Sequence, residues 1–152
     1  MDEKDQAIYR LMEATNQIDG SYYLCARRMG EKSNTLALLY ALSDGRPHSQ
    51  TQVSREWLIP KTTVNTIVKE LREKGLLTLS CAPGREKELL LTPAGNQYAA
   101  GLLSGMWTAE RAALEETLER YSPQFVEAFA FFSQRLAQLL LLHVPGPAGT
   151  SQ

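Results

Sequence analysis

Apolar residues recur at steps of three and four through most of this chain, and that period is broken in one place. Ile8, Leu11, Met12, Thr15, Ile18, Tyr22, Cys25, Ala26 and Met29 form one stripe, which predicts a long amphipathic helix from residue 4 to about residue 30. Gly20 lies inside it and predicts a bend, because glycine in a helix costs about 1 kcal/mol relative to alanine. In "SNTLALLYALSDG" a second helix places Leu36, Leu39, Tyr40 and Leu42 on its buried face. Ser33 or Asn34 suits its start and Gly45 its stop, and Pro47 then forces a connection. "SQTQVSREWLI" opens with Ser49 three residues before Gln52, the spacing of a capping box, so a short third helix follows. In "WLIPKTTVNTIVKELREKGLL" a fourth helix turns Val64, Ile67, Val68 and Leu71 to one side and Thr62, Thr63, Asn65, Thr66 and Lys69 elsewhere. Pro60 suits the start of that helix, and Gly75 its stop after Lys74.

The period then shortens to that of strands. "LLTLSCAPGREKELLLT" contains two β-prone runs, Leu76 to Cys81 and Glu88 to Leu91, around a tip bearing Pro83, Gly84 and three charges, which predicts a hairpin. Thr92-Pro93 closes the hairpin and starts a fifth helix whose stripe is Tyr98, Leu102, Leu103 and Met106, running on to about Arg120. Gly95, Gly101 and Gly105 weigh against its being straight. Ser122-Pro123 starts a sixth, very apolar helix, Phe125 to Leu142, and residues 144–152 read as a flexible tail. Short helices, then a polar-faced helix, then a two-stranded hairpin is the order of a winged helix-turn-helix. The fold class is therefore mainly α, an α+β fold with a two-stranded β-hairpin wing, as one domain spanning 1–152 with its winged-helix part at 33–92.

That order explains a helix with one hidden face and short polar side chains on the other. An α-helix fits the major groove of DNA, and residues near its N-terminus reach base edges when the opposite face anchors it to a scaffold. Asn pairs bidentately with adenine, and Thr presents its methyl to thymine. The candidate DNA-binding residues are thus Lys61, Thr62, Thr63, Asn65, Thr66 and Lys69 on the helix, with Arg85 and Lys87 at the hairpin tip for phosphate or the minor groove. Arg72 and Lys74, beside Glu70 and Glu73, read instead as exposed ion-pair decoration. Charge supports the assignment weakly: 44–92 holds 8 Lys/Arg against 6 Asp/Glu, and the rest of the chain 8 against 11, for a total of -1. A broad basic field is absent, so tight binding depends on dimerisation and on well-placed contacts.

"SREWLIPKTTVNTIVKELREKGLL" followed by "GREKELLLTPAGNQYA" resembles the MarR family of bacterial winged helix-turn-helix transcriptional regulators, most specifically over Gln50 to Ala99. The resemblance implies that Lys61 to Lys74 is the recognition helix, that Arg85 sits in the wing and that Leu91-Thr92 matches the family's "LT" before its next helix. It also implies a homodimer, with 1–32 and 93–143 as the helical dimerisation part. Family wings commonly carry an Asp two residues before the arginine, where this chain has Pro83. The function implied is sequence-specific regulation, as a repressor that occupies a pseudopalindromic operator and is released by a small-molecule effector. Tyr22, Tyr23, Tyr40 and Trp107 are candidates for an effector pocket of the aromatic-binding kind, against the plainer reading that rings at helical spacing pack a core.

Composition narrows the alternatives. A chain of 152 residues with 43% hydrophobic and 22% charged residues is an ordinary globular domain. The acidic, amphipathic start "MDEKDQAIYRLMEA" is unlike a secretory signal, so a cytoplasmic protein is expected. Glu127, Gln134, Arg135 and Gln138 interrupt the apolar sixth helix, which argues for packing on neighbours or a partner subunit and against a membrane partner. Cys25 and Cys81 are too few and too far apart for a disulfide framework or a paired zinc motif, and with only His48 and His143 added no metal-ligand spacing occurs. Cys25 on the first stripe and Cys81 beside the wing both read as inert. No nucleophile with a base, no phosphate-binding glycine loop and no cofactor motif is present, so no enzyme and no cofactor is expected. The competing reading is a winged-helix protein interaction module that reads no DNA and holds another protein with its last helix.

Overall fold

Asp2 opens the first helix as an N-cap: its carboxylate accepts the Asp5 N–H at 2.9 Å while the Asp5 carboxylate accepts the Asp2 N–H at 3.2 Å. In this computed structural model, which describes residues 1–81 and 83–147, the elements run α1 (Glu3–Met29), α2 (Ser33–Leu42), β1 (His48–Ser49), α3 (Gln50–Trp57), α4 (Lys61–Glu73), β2 (Leu77–Ser80), β3 (Glu88–Leu91), α5 (Pro93–Arg120) and α6 (Phe125–His143). The predicted helices and hairpin are all there, in the predicted order, as a mainly helical winged helix-turn-helix.

Several details depart from the sequence reading. α1 is continuous through Gly20, and it ends at Gly30 in the left-handed region, φ +71°, whose N–H bonds the Ala26 and Arg27 carbonyls. Lys32, not Ser33 or Asn34, is the N-cap of α2, without a side-chain cap bond. Ser49 does cap α3, accepting the Gln52 N–H at 3.0 Å, but the Gln52 amide donates forward to Glu56 at 3.1 Å and leaves the reciprocal half of the box unmade. The wing has gained a third strand. β1 pairs antiparallel with β3, His48 opposite Leu89 and Ser49 opposite Glu88, giving the order β1-β3-β2. Two residues following a proline carry no alternation from which a strand could be read. β2 is also a residue shorter at each end than expected, with Leu77 opposite Leu91 and Ser80 opposite Glu88. Of the tail expected at 144–152, residues 148–152 lie outside the described residues.

The chain divides into two compact units, Met1–Ser104 and Gly105–Gln152. In the first, Leu38 and Leu39 of α2, Val53 of α3, Val64 and Leu71 of α4, Leu89 of β3 and Leu103 of α5 are the fully buried side chains. Five elements, α4 among them, thus contribute to one core. Tyr40 and Trp57 pack at 5.5 Å between ring centroids, tilted by 55°, tying the middle of α2 to the end of α3. At the junction of β3 and α5, the Thr92 hydroxyl donates to the Gly75 carbonyl at 2.7 Å and accepts the Gly95 N–H at 3.0 Å. Thr92 therefore caps α5 and clamps it to the turn after α4.

In the second unit, α6 has no buried residue, with Phe131 68%, Leu141 86% and Leu142 77% exposed. Among the described residues it is the one helix long and apolar enough to cross a membrane by length and composition. Glu127 and Arg135 stand within it. The expected packing of α6 on several neighbours is not met within a single chain.

The turn between α3 and α4 holds one strained residue. Leu58 has φ +50° and is 88% exposed, while Ile59 beside it is buried and its carbonyl accepts the Ser54 hydroxyl at 2.6 Å. A left-handed conformation costs a β-carbon-bearing residue roughly 1–2 kcal/mol, and this side chain gains little packing in return. Leu58→Gly is expected to raise the unfolding free energy by about 0.5–1 kcal/mol, measured as an upward shift of the urea midpoint at unchanged slope.

Candidate nucleic-acid interface

α4 separates its two faces cleanly. Val64, Ile67, Val68 and Leu71 are buried, and Lys61, Thr62, Asn65, Thr66 and Lys69 are exposed along one stripe at steps of one, three and four residues. Thr63 is half-buried at the edge of that stripe. The Thr66 hydroxyl donates to the Thr62 carbonyl at 3.0 Å, so its donor is already used, and its methyl and the acceptor side of its oxygen are left. Pro60 precedes α4 as an N-cap with no side-chain bond. Asn65, one turn in, keeps an exposed amide.

The wing stands beside the start of that helix. Gly84 turns its tip at φ +74°, a left-handed conformation that suits glycine, and Arg85, Glu86 and Lys87 are all exposed. Thr51 in the first turn of α3 donates its hydroxyl to the Glu86 carboxylate. This bond, helped by the Ser49 hydroxyl, the Thr51 N–H and the nearby Lys61 charge, holds the Glu86 carboxyl below its ordinary range despite some desolvation. The wing loop and the start of α3 thus meet, with Lys61 at the start of α4 near enough for its charge to act on Glu86. Sequence reasoning missed Glu86 and Thr51 as part of this surface, and nothing local in the sequence connects them.

Further polar links lie around this surface. Lys32, between α1 and α2, bonds Glu70 of α4 at 3.2 Å; both are substantially exposed, so the pair contributes at most about 1 kcal/mol. Its neighbour Glu31 accepts the Tyr98 hydroxyl of α5 at 2.7 Å, which together with partial burial raises the Tyr98 pKa. Before β1, Asp44 accepts the Arg46 N–H at 2.9 Å and pairs with the His48 ring at 2.9 Å. Those partners hold the Asp44 carboxyl below its ordinary range, the Arg46 N–H most of all.

The candidate effector aromatics have different surroundings. Tyr40 is engaged by Trp57, Tyr22 and Tyr23 lie exposed on α1, and Trp107 lies on the part of α5 that belongs to the second unit. A cleft of about 650 Å³ opens instead between the end of α4 and β2, lined among others by Lys69, Arg72, Leu77 and Thr78. Cys25 is half-buried and Cys81 exposed, and both are free thiols.

A sequence model of the MarR family matches residues 32–86, from the N-cap of α2 to the wing acid. The winged helix of this chain is thus similar to that of the MarR family. No curated protein sequence matches the chain. Solved structures extend the likeness beyond the matched segment. A MarR family regulator from Neisseria meningitidis is similar over 95% of this chain and 97% of its own, at 19% identity and a TM-score of 0.70. A probable transcriptional regulator from Pseudomonas aeruginosa is 26% identical over 88% of this chain and 99% of its own, with a TM-score of 0.52. The Staphylococcus aureus MarR in complex with salicylate and kanamycin is 15% identical over 93% of this chain and 94% of its own, with a TM-score of 0.63. At such identities the structures share the MarR fold, while function has to be argued from the site.

Proposed function

We propose that this protein is a sequence-specific DNA-binding transcriptional regulator that works as a homodimer, with Lys61, Thr62, Thr63, Asn65, Thr66 and Lys69 facing the major groove and Arg85 and Lys87 on the wing. The observation that carries this reading is the exposed polar stripe of α4, anchored from behind by Val64, Ile67, Val68 and Leu71 and flanked by a basic wing. A helix with that division of faces suits a groove.

Dimerisation is supported by apolar surface that a single chain leaves uncovered. Ile8, Leu11 and Ile18 on α1 are 39–51% exposed, and α6 buries none of its residues. Exposed apolar surface on each of these helices suits an interaction site in a folded chain. Two recognition helices about 34 Å apart read successive major grooves of a pseudopalindrome. Occupying a promoter in this way represses it, and a small molecule that prefers a dimer of different spacing releases it. The salicylate and kanamycin complex of the Staphylococcus aureus relative supports an effector of small-molecule class.

The test is selection from a random duplex pool followed by fluorescence anisotropy of the purified protein across a salt series. An enriched inverted repeat with half-sites about one helical turn apart, and affinity falling steeply with salt, is the expected result. A folded protein that enriches no duplex and co-purifies with a stoichiometric protein partner would replace this reading with that of an interaction module.

A further inference from the structure

The loop between β2 and β3 contains a single acid, Glu86, set between the two cations Arg85 and Lys87. On a surface meant for DNA that carboxylate is a liability, because it repels the phosphates its neighbours attract. Its position is nonetheless specific. The carboxylate receives the Thr51 hydroxyl across 35 positions of sequence, beside the N-cap Ser49, whose strand partner is Glu88 of β3. β1 thus brings the start of α3 against the wing, and the Glu86 side chain closes the remaining gap. The described residues from Pro83 to Lys87 are all exposed, and Gly84 at the tip has no β-carbon with which to pack. Among the described residues of the loop, Glu86 is the side chain tied to the start of α3, through Thr51 and the neighbouring Ser49.

We propose that Glu86 is a positioning residue for DNA binding: docked on Thr51 at the start of α3, it holds the wing in the orientation that presents Arg85 and Lys87 to the duplex. The proposal rests on the DNA-binding reading above. It makes the acid favourable to binding through pre-organisation, since a wing already ordered does not lose its freedom on association. Electrostatics alone has the opposite sign, because deleting a negative charge from a DNA-facing loop tightens binding. The two accounts therefore separate on direction.

The experiment compares wild type, Glu86→Ala, Glu86→Gln, Thr51→Val and the Thr51→Val/Glu86→Ala double variant. Affinity for the selected duplex is measured in each, together with the backbone ¹⁵N heteronuclear NOE of Arg85 and Lys87 without DNA. Glu86→Ala and Thr51→Val are each expected to weaken binding about fivefold and to lower the NOE of the wing amides. The double variant is expected to be no weaker than either single one, as for two ends of one contact. Glu86→Gln, which keeps an oxygen that accepts from Thr51 but removes the charge, should keep the wild-type NOE values and bind at least as tightly as wild type. Tighter binding by Glu86→Ala would overturn the proposal and make the contact autoinhibitory. Unchanged wing NOE values, or fully additive losses, would overturn it as well. If the wild type binds no duplex, the DNA-binding reading itself fails, and the NOE comparison still decides whether Glu86 holds the loop.

Discussion

Gly95→Ala is expected to destabilise the winged-helix unit by about 3 kcal/mol or more, a large share of the roughly 5–15 kcal/mol typical of a domain. A β-carbon at Gly95 would stand 1.8 Å from the Leu76 carbonyl oxygen and 2.8 Å from its carbon. Both are main-chain atoms, so no side chain can rotate away. Relief requires the start of α5 to lift from the turn after α4, and that turn is stitched in place: the Thr92 N–H bonds the Leu76 carbonyl at 3.1 Å, and Thr92 also receives the Gly95 N–H at 3.0 Å. Lifting α5 loses those bonds and loosens the seat of α4 together with it. Gly101→Ala is the matched control, since nothing lies within 4 Å of its added carbon, and a helical alanine there is expected to gain about 0.5–1 kcal/mol. Urea unfolding of the two variants beside the wild type checks both signs. A Gly95→Ala midpoint equal to that of wild type would contradict the close approach.

Asn65→Ala is expected to lower affinity for the selected operator by about tenfold to about a hundredfold while leaving binding to scrambled duplex nearly unchanged. The range corresponds to about 1–3 kcal/mol for one bidentate base contact. Asn65 is exposed on α4 with buried Val64 before it, so removing its amide opens no cavity and leaves the helix anchored. Arg85→Ala should behave differently: weaker on every duplex, with the slope of log affinity against log salt reduced by about 1, as for the loss of a single phosphate contact. Titrations of both variants on operator and scrambled DNA at several salt concentrations distinguish the patterns. Equal losses on both duplexes for Asn65→Ala would remove it from the residues that read bases.

Local pattern was enough to read the helices. Val64, Ile67, Val68 and Leu71 repeat at helical spacing, and the structure buries those four while leaving Thr62, Asn65, Thr66 and Lys69 outside. The hairpin followed from a change of period around Pro83 and Gly84. Both signals are short-range, because the chain repeats its burial within a few residues, and so the fold class and the exposed stripe of α4 were legible from the amino acids alone.

Tertiary structure decided what depends on residues far apart in the chain. β1 is two residues long and exists through its pairing with β3, about forty positions away, where no alternation could announce it. Gly95 looked like a weak point in α5, yet its role is to let the helix approach the Leu76 carbonyl, which only the packing of two elements reveals. The Thr51–Glu86 and Glu31–Tyr98 bonds join positions 35 and 67 residues apart. The candidate aromatics were likewise sorted by packing: Tyr40 lies against Trp57, while Tyr22 and Tyr23 are exposed. Side-chain pairing over such distances leaves no periodic trace in a single sequence. Hydrophobic patterning therefore determined the helices and the hairpin strands and which face each helix buries, and the three-dimensional fold alone decided β1 and which polar groups meet.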